Sequence, residues 1–339
     1  METCLVCQEK GELLYARLND RQRPLSPDRF SLFRCRSPIC GSMWLSPRPD
    51  APTLSAAYED YYTHAEQQGQ TNVMGRRVRL RRKVRAAYLS RVWKDPGFRD
   101  GLRNLLCSYV PCLLPGKTDY LDFSVMYLSP AEGQRVLDIG CGDGRALEVL
   151  RNRGWSVMGI EPDLAAVERA MAKGLAVECR AVEELGVHSG DLDAVTMSHV
   201  IEHFEAPESA LRTAYKFLRP GGVMVVVTPN AKSLGHTVFG ENWMHLDPPR
   251  HLQIFSPHAL VVMARRVGFS VKRVFTTVRD ADIVWVSSTS IRKTGAFDLK
   301  QPHSSMSGRC FLIAEAVSKR VRPETGEEIV LIASRERGD

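Results

Sequence analysis

Residues 138–144 read Asp-Ile-Gly-Cys-Gly-Asp-Gly and follow the apolar pair Val136-Leu137. Glycines at every second position let the backbone turn tightly and let a ligand lie against main-chain atoms without meeting a Cβ. The pattern departs from the dinucleotide fingerprint Gly-x-Gly-x-x-Gly, because Asp138 ends the apolar run and the third glycine comes one residue early. A nucleotide-holding turn is the expectation, with a purely structural glycine turn as the alternative. Glu161 ends the next apolar run, where an acid can accept from two ribose hydroxyls. A second constellation is Glu241-Asn242-Trp243-Met244-His245-Leu246-Asp247-Pro248-Pro249-Arg250-His251-Leu252, too polar and too stiff for a periodic element and suited to shaping a site. His199 and His203 stand four apart, a spacing also open to a metal pair. Finally, Cys4 and Cys7 form a C-x2-C knuckle, with Cys35 and Cys40 as a wider C-x4-C pair. Four thiolates on two loops can close a tetrahedron around structural zinc.

The elements that must position these groups follow from periodicity. Strands are expected at Arg135 to Ile139, Ser156 to Ile160, Ala176 to Cys179, Leu192 to Met197 and Val223 to Val227, the last apolar throughout as a strand covered on both faces should be. Helices are expected over Ala146 to Arg153, Asp163 to Lys173, Ser209 to Leu218 and Pro257 to Val267, with Arg219-Pro220-Gly221-Gly222 as a turn. Such βα repetition implies α/β class and an open, mostly parallel sheet. A sixth strand is placed at Ser270 to Thr277, a helix at Gly308 to Val321 and a seventh strand at Glu328 to Ala333. Ala281 to Met306 shows no clear period. Upstream, apolar residues Val73, Leu80, Val84, Ala87, Tyr88 and Val92 recur at helical spacing, and a second helix is read from Leu102 to Leu114. Tyr58, Tyr61 and Tyr62 lie in a short helix before them. Three segments result: a zinc-ribbon-like module over 1–50, a helical bridge or lid over 51–118, and a main domain over 119–336 with an insertion around 280–324.

The chain has 339 residues and a formal charge of +7. Residues 71–120 hold 12 Lys or Arg against Asp95, Asp100 and Asp119, a local +9 that leaves −2 for the rest. The charge is therefore a local feature with a local cause. No apolar run approaches the roughly 20 residues that cross a bilayer, and the cysteines near Met1 replace a signal peptide's apolar segment, so a cytoplasmic protein is expected. Cys107, Cys112, Cys141, Cys179 and Cys310 read as small buried hydrophobes.

The glycine turn resembles the first motif of class I S-adenosylmethionine-dependent methyltransferases. The resemblance runs on through Asp193-Ala194-Val195, Ser198-His199-Val200-Ile201-Glu202-His203-Phe204, Leu218-Arg219-Pro220-Gly221-Gly222 and Thr228-Pro229-Asn230, covering roughly 120–275. The later loop and the cysteines resemble a subgroup that combines an amino-terminal zinc ribbon with an Asn-Trp...Asp-Pro-Pro-Arg-His-Leu motif; the C-x4-C half departs from its usual C-x2-C. The resemblance implies a Rossmann-like sheet of seven strands with the seventh antiparallel. It also implies S-adenosylmethionine as cofactor, held by Asp138, Gly140, Cys141, Gly142, Gly144, Glu161, Pro162, Ala181, Val182, Glu183, Ser198 and His199, with Ala181 to Glu183 near adenine.

Methyl transfer asks the protein to align the acceptor and, for a hydroxyl, to remove a proton. A histidine neutral near pH 7 suits that task. His251 is the first candidate base, followed by His245, His203 and His199; Trp243 and Arg250 are the candidate acceptor contacts. The leading reading is O-methylation of a small hydroxylated acceptor: a sugar, a lipid-linked compound or a secondary-metabolite intermediate. A zinc-module RNA methyltransferase is the rival, although the basic stretch lacks interleaved aromatics. A third class is a non-catalytic interaction module, with peripheral membrane contact through residues 73–114. The oligomeric state is not legible.

Overall fold

The computed structural model describes residues 3–23, 29–58, 76–95, 102–185, 190–297 and 305–336; Tyr61, Tyr62 and Val73 fall outside them. In chain order the strands are β1 (Gly11–Leu18), β2 (Phe30–Cys35), β3 (Met43–Ser46), β4 (Arg135–Ile139), β5 (Ser156–Glu161), β6 (Val177–Cys179), β7 (Leu192–Ser198), β8 (Leu218–Pro229), β9 (Gln253–Ile254), β10 (Phe269–Thr277) and β11 (Glu328–Arg335). The helices are α1 (Ala51–Tyr58), α2 (Arg76–Trp93), α3 (Leu102–Tyr109), α4 (Lys117–Phe123), α5 (Arg145–Arg151), α6 (Leu164–Ala172), α7 (Pro207–Phe217), α8 (Leu234–Phe239), α9 (Pro257–Val267), α10 (Ala281–Thr294) and α11 (Met306–Val321). Seven of the strands belong to the expected Rossmann-like, mostly parallel sheet. Its last strand in the chain, β11, runs antiparallel to β8 and to β10.

Two compact units divide the chain, at boundaries other than those of the three expected segments. The first joins Met1–Tyr62 to Val182–Asp339. It contains strands in the order β10-β11-β8-β7 and a separate antiparallel sheet in the order β1-β2-β3-β9. The amino-terminal module is thus completed by β9: Met43 and Trp44 pair with Ile254 and Gln253. Leu18, Leu32, Met43 and Leu45 share one core cluster with Trp243, Leu246 and Ile254. A segment of some 50 residues supports little core of its own, and here it borrows one from the later loop. Met224, Val225, Val226 and Val227 of β8 are fully buried, as a strand covered on both faces requires.

The second unit, Thr63–Ala181, carries the parallel run β4-β5-β6 with α5 and α6. It also carries α2, α3 and α4; Tyr88, Leu89, Leu121 and Val125 cluster there beside Trp93 and Val149.

Three local expectations are corrected. The turn at Arg219 to Gly222 lies inside β8 as an irregularity: the β7 register passes from Leu192↔Leu218 to Ala194↔Val223, and Gly221 takes φ +81. The helix read from Leu102 to Leu114 stops at Tyr109 and tightens into a 3-10 turn over Val110–Leu113, which contains Pro111. The aperiodic stretch after Ala281 is helical in α10. Its buried positions are Ala281, Val284, Ser287, Ser288 and Ile291, so two serines on the inner face hid the apolar period.

Candidate functional site

In the second unit, β4 ends at Ile139 with Asp138 buried, and the chain turns through Gly140 (φ +72) and Gly142 (φ +53). The N–H groups of Gly140 and Cys141 both donate to the Ile160 carbonyl, at 2.8 and 3.1 Å. Glu161, at the end of β5, braces the same turn: Oε2 accepts from Gly142 N–H and Oε1 from Asp163 N–H, each at 3.0 Å. Burial pushes its carboxyl up, against the two backbone bonds that favour the charge. Each oxygen keeps lone-pair capacity for a hydroxyl.

The glycines differ in role. A Cβ on Gly142 would meet nothing within 4 Å, so the turn leaves open room there, which fits a ligand lying on the backbone. A Cβ on Gly144 would lie 2.3 Å from Leu175 Cδ1 and 3.2 Å from Ala170 Cβ. Gly144, expected at the cofactor, also lets α5 pack closely against Leu175 and Ala170. The Cys141 side chain is buried with Leu147, Val167 and Leu175, as expected of a small hydrophobe, whereas Cys107 is half-buried and Cys112, Cys179 and Cys310 are exposed, which corrects that reading for them. Pro162 is exposed and Ala181 half-buried.

The first unit gathers the histidines. Ser198 ends β7, half-buried. His199 follows in the left-handed region (φ +55), and a 3-10 turn carries Ile201–His203. His199 lies between two buried carboxylates: Nε2 donates to Glu328 Oε1 at 2.8 Å, and Nδ1 stands 3.5 Å from Glu202 Oε1. Arg279 Nη2 lies 3.0 Å from the same Nε2 and bonds the same Glu328 oxygen. A 2.8 Å contact between Nε2 and an oxygen of ionised Glu328 places a proton on Nε2. Burial opposes charge on His199, but the two carboxylates overcome it and lift its pKa to about 9. Burial would likewise raise Glu202 and Glu328; His199 chiefly for the first, and Arg279 then His199 for the second, bring each down to about 2. Thr228 Oγ1 donates to the other oxygen of Glu202 at 2.9 Å.

Two of the remaining candidates, His203 and His245, are held neutral near pH 7. Burial and then the His251 charge lower His203 to about 4; burial and then His199 lower His245 to about 3. His203 Nδ1 lies 3.0 Å from the Arg250 carbonyl and 2.9 Å from Tyr58 Oη. His251 donates from Nδ1 to the His245 carbonyl at 2.6 Å. In the neutral ring that bond selects the tautomer with the lone pair on Nε2. Donor atoms of Glu202, His203 and His251 lie within 4.8 Å of one another.

Trp243 and Arg250, expected at the acceptor, are corrected. Trp243 is 1% exposed and donates from Nε1 to buried Glu327 Oε2 at 2.9 Å. Arg250 is also 1% exposed. Its Nε and Nη2 hold Asp247 at 2.9 and 2.8 Å, Nη2 and Nη1 hold Asp20 at 2.6 and 3.0 Å, and Nη1 also reaches the Ala57 carbonyl at 3.2 Å. Val182 is buried, which confines any ligand contact to its backbone, and the side chain of Glu183 lies outside the described residues. Glu328, Arg279, Asp20 and Tyr58 were not legible as partners, since each is remote in sequence from the histidine or arginine it meets. Glu202 carried a signal, standing between His199 and His203.

The four cysteines do come together: Cys4 and Cys40 sulfurs are 3.6 Å apart, Cys7 and Cys35 sulfurs 3.3 Å, and all four lie within 4.8 Å of one another. This is a donor set for a tetrahedral thiolate site.

Comparison with known proteins bears on the family. The methyltransferase domain family matches residues 117–274. The chain is 41% identical over 107 residues to a ubiquinone biosynthesis O-methyltransferase of Rhizobium etli, covering 30% of this chain and 43% of that one. It is 34% identical over 167 residues to the protein of the same description from Chromobacterium violaceum, covering 45% and 71%. The chain belongs to the class I S-adenosylmethionine-dependent methyltransferases. Several of the methyltransferase's curated relatives are matched over only about half their length, from 43% to 54%. Among solved structures, an S-adenosylmethionine-dependent methyltransferase from Mesorhizobium loti aligns with 15% identity and a TM-score of 0.44, over 63% of this chain and 97% of that one.

Two outcomes follow for the methyltransferase's ionic interior. Arg250→Met leaves Asp20 and Asp247 buried without their cation and lowers unfolding free energy by about 3–5 kcal/mol, measured by urea denaturation. His199 is raised above its unfolded value of 6.5, so its contribution is full below pH 6.5 and is lost as pH climbs through about 9. Wild-type stability therefore falls between these values, and His199→Gln removes that part of the slope; an unchanged slope contradicts the assignment.

Proposed function

We propose that the protein transfers the methyl group of S-adenosylmethionine to an oxygen of a small hydroxylated acceptor, such as a sugar, a lipid-linked compound or a secondary-metabolite intermediate. When bound, the cofactor supplies a methyl already activated on a sulfonium. Glu161 would accept from the ribose hydroxyls, and the backbone around Gly140 to Gly142 with Asp138 would hold the remainder of the cofactor. The O-methyltransferase descriptions of the relatives support oxygen as the acceptor atom.

The observation that supports the mechanism is the bond from His251 Nδ1 to the His245 carbonyl, which in the neutral ring places the lone pair on Nε2. His199 keeps its proton between two carboxylates, while His203 and His245 are held too acidic to take one near neutral pH. His251 is left to take the proton of the acceptor hydroxyl. The positive charge that then forms on its ring is compensated by Glu202, whose Oε1 is fully buried and makes no hydrogen bond within the usual geometry. Zinc at Cys4, Cys7, Cys35 and Cys40 has a structural role: it ties the turn before β1 to the chain beyond β2.

A radiolabelled methyl-transfer screen over sugar nucleotides, lipid extract, small-metabolite pools and undermodified RNA tests the reading. With the acceptor found, His251→Ala lowers kcat by about 10²–10⁴-fold while S-adenosylmethionine binding by calorimetry is retained. Label entering RNA alone overturns the small-acceptor reading, and an unimpaired His251→Ala overturns the base. For the metal, elemental analysis of the purified protein finds a single zinc per chain, and Cys4→Ser together with Cys35→Ser removes it and lowers Tm. A metal-free wild type with unchanged Tm contradicts the site.

A further inference from the structure

Helix α2 carries Arg76, Arg77, Arg79, Arg81, Arg82, Lys83, Arg85 and Arg91 and no acid. Its carboxyl-terminal half is anchored: Ala87, Tyr88 and Leu89 are buried, and Tyr88 Oη and Trp93 Nε1 both donate to Asp122 Oδ1, at 2.9 and 2.7 Å. The preceding stretch is exposed from Arg79 to Lys83, with Leu80 59% exposed. Helix α3 packs along α2, and with the 3-10 turn after it exposes a run of large apolar side chains. Leu105, Leu106, Tyr109, Val110, Leu113 and Leu114 are 50%, 63%, 49%, 40%, 80% and 53% exposed.

Single exposed apolar residues are ordinary, but six within ten positions form a patch that needs an apolar partner. The cations sit at its border: Arg91 lies 4.1 Å over the Tyr109 ring and Lys117 4.8 Å over the Tyr120 ring. Aliphatic side chains flanked by tyrosines and long basic side chains match the graded polarity of a bilayer surface, where the cation reaches headgroup phosphates and the ring lies at their level. Two copies meeting through this patch would bring two acid-free arginine helices together. A nucleic acid would leave the six apolar side chains without a partner.

We propose that α2, α3 and the turn over Val110–Leu113 form a docking surface for an anionic lipid bilayer, with the α2 cations on the headgroups and Leu105, Leu106, Leu113 and Leu114 entering the acyl boundary. The inference goes beyond methyl transfer and does not depend on the acceptor. The contact is peripheral, because among the described residues no helix is long and apolar enough to cross a membrane.

Co-sedimentation of the full chain with vesicles of phosphatidylcholine plus phosphatidylglycerol, and with vesicles of phosphatidylcholine alone, tests it. Wild type sediments with the anionic vesicles, more strongly at low salt. Arg81→Glu with Lys83→Glu weakens partitioning about tenfold or more, as does Leu106→Ser with Leu113→Ser. All four side chains are exposed, so both variants keep the fold. Three results overturn the proposal: wild type left in the supernatant with anionic vesicles, both variants sedimenting like wild type, or a wild-type dimer in size exclusion that the serine variant dissolves.

Discussion

All five N–H donors of Arg250 are occupied inside the protein, by Asp247, Asp20 and the Ala57 carbonyl. Desolvating a guanidinium is costly, and the two carboxylates repel each other without it, so the triad holds only when every member is in place. Its members come from the chain after β1, the end of α1 and the loop after α8. The clasp therefore fixes the amino-terminal module, α1 and the histidine loop to one another. Much of the local geometry follows from it: the Arg250 carbonyl meets His203 Nδ1, and the His245 carbonyl, two residues before Asp247, meets His251 Nδ1.

Around that frame a second ionic assembly sorts the histidines. Glu202 and Glu328 are matched by the His199 imidazolium and Arg279. The arrangement keeps one ring charged and depresses the basicity of His245 behind it. Four imidazoles close in space would otherwise compete for one proton. Backbone carbonyls fixing Nδ1, and carboxylates fixing His199, give each ring a distinct state.

Where the chemistry is local the sequence is legible. The glycine turn, Glu161 at a strand end and the bounds of α9 all follow from spacing over a few residues, and the structure carries them at the expected places. The four cysteines converge for the same reason, since two short loops hold them. Direction was not legible in the histidine loop. Trp243 and Arg250 are the residue types that bind ligands, yet Glu327 and Asp20, both distant in sequence, turn them into the core. Glu328 and Arg279 were invisible as partners of His199 because only the pairing of β8 with β11 brings Glu328 to the end of β8. Gly144 shows the same limit in reverse, a motif glycine that also serves packing.

The division of labour among the histidines is the central claim, and the protonation of each ring nitrogen tests it most directly. Long-range proton–nitrogen correlation spectra of the protein labelled with ¹⁵N at histidine, taken near neutral pH and assigned with single His→Gln variants, read those states. His199 is expected with both nitrogens protonated, and His251 with a proton on Nδ1 and a bare Nε2. A neutral His199, or a His251 carrying its proton on Nε2, would contradict the account.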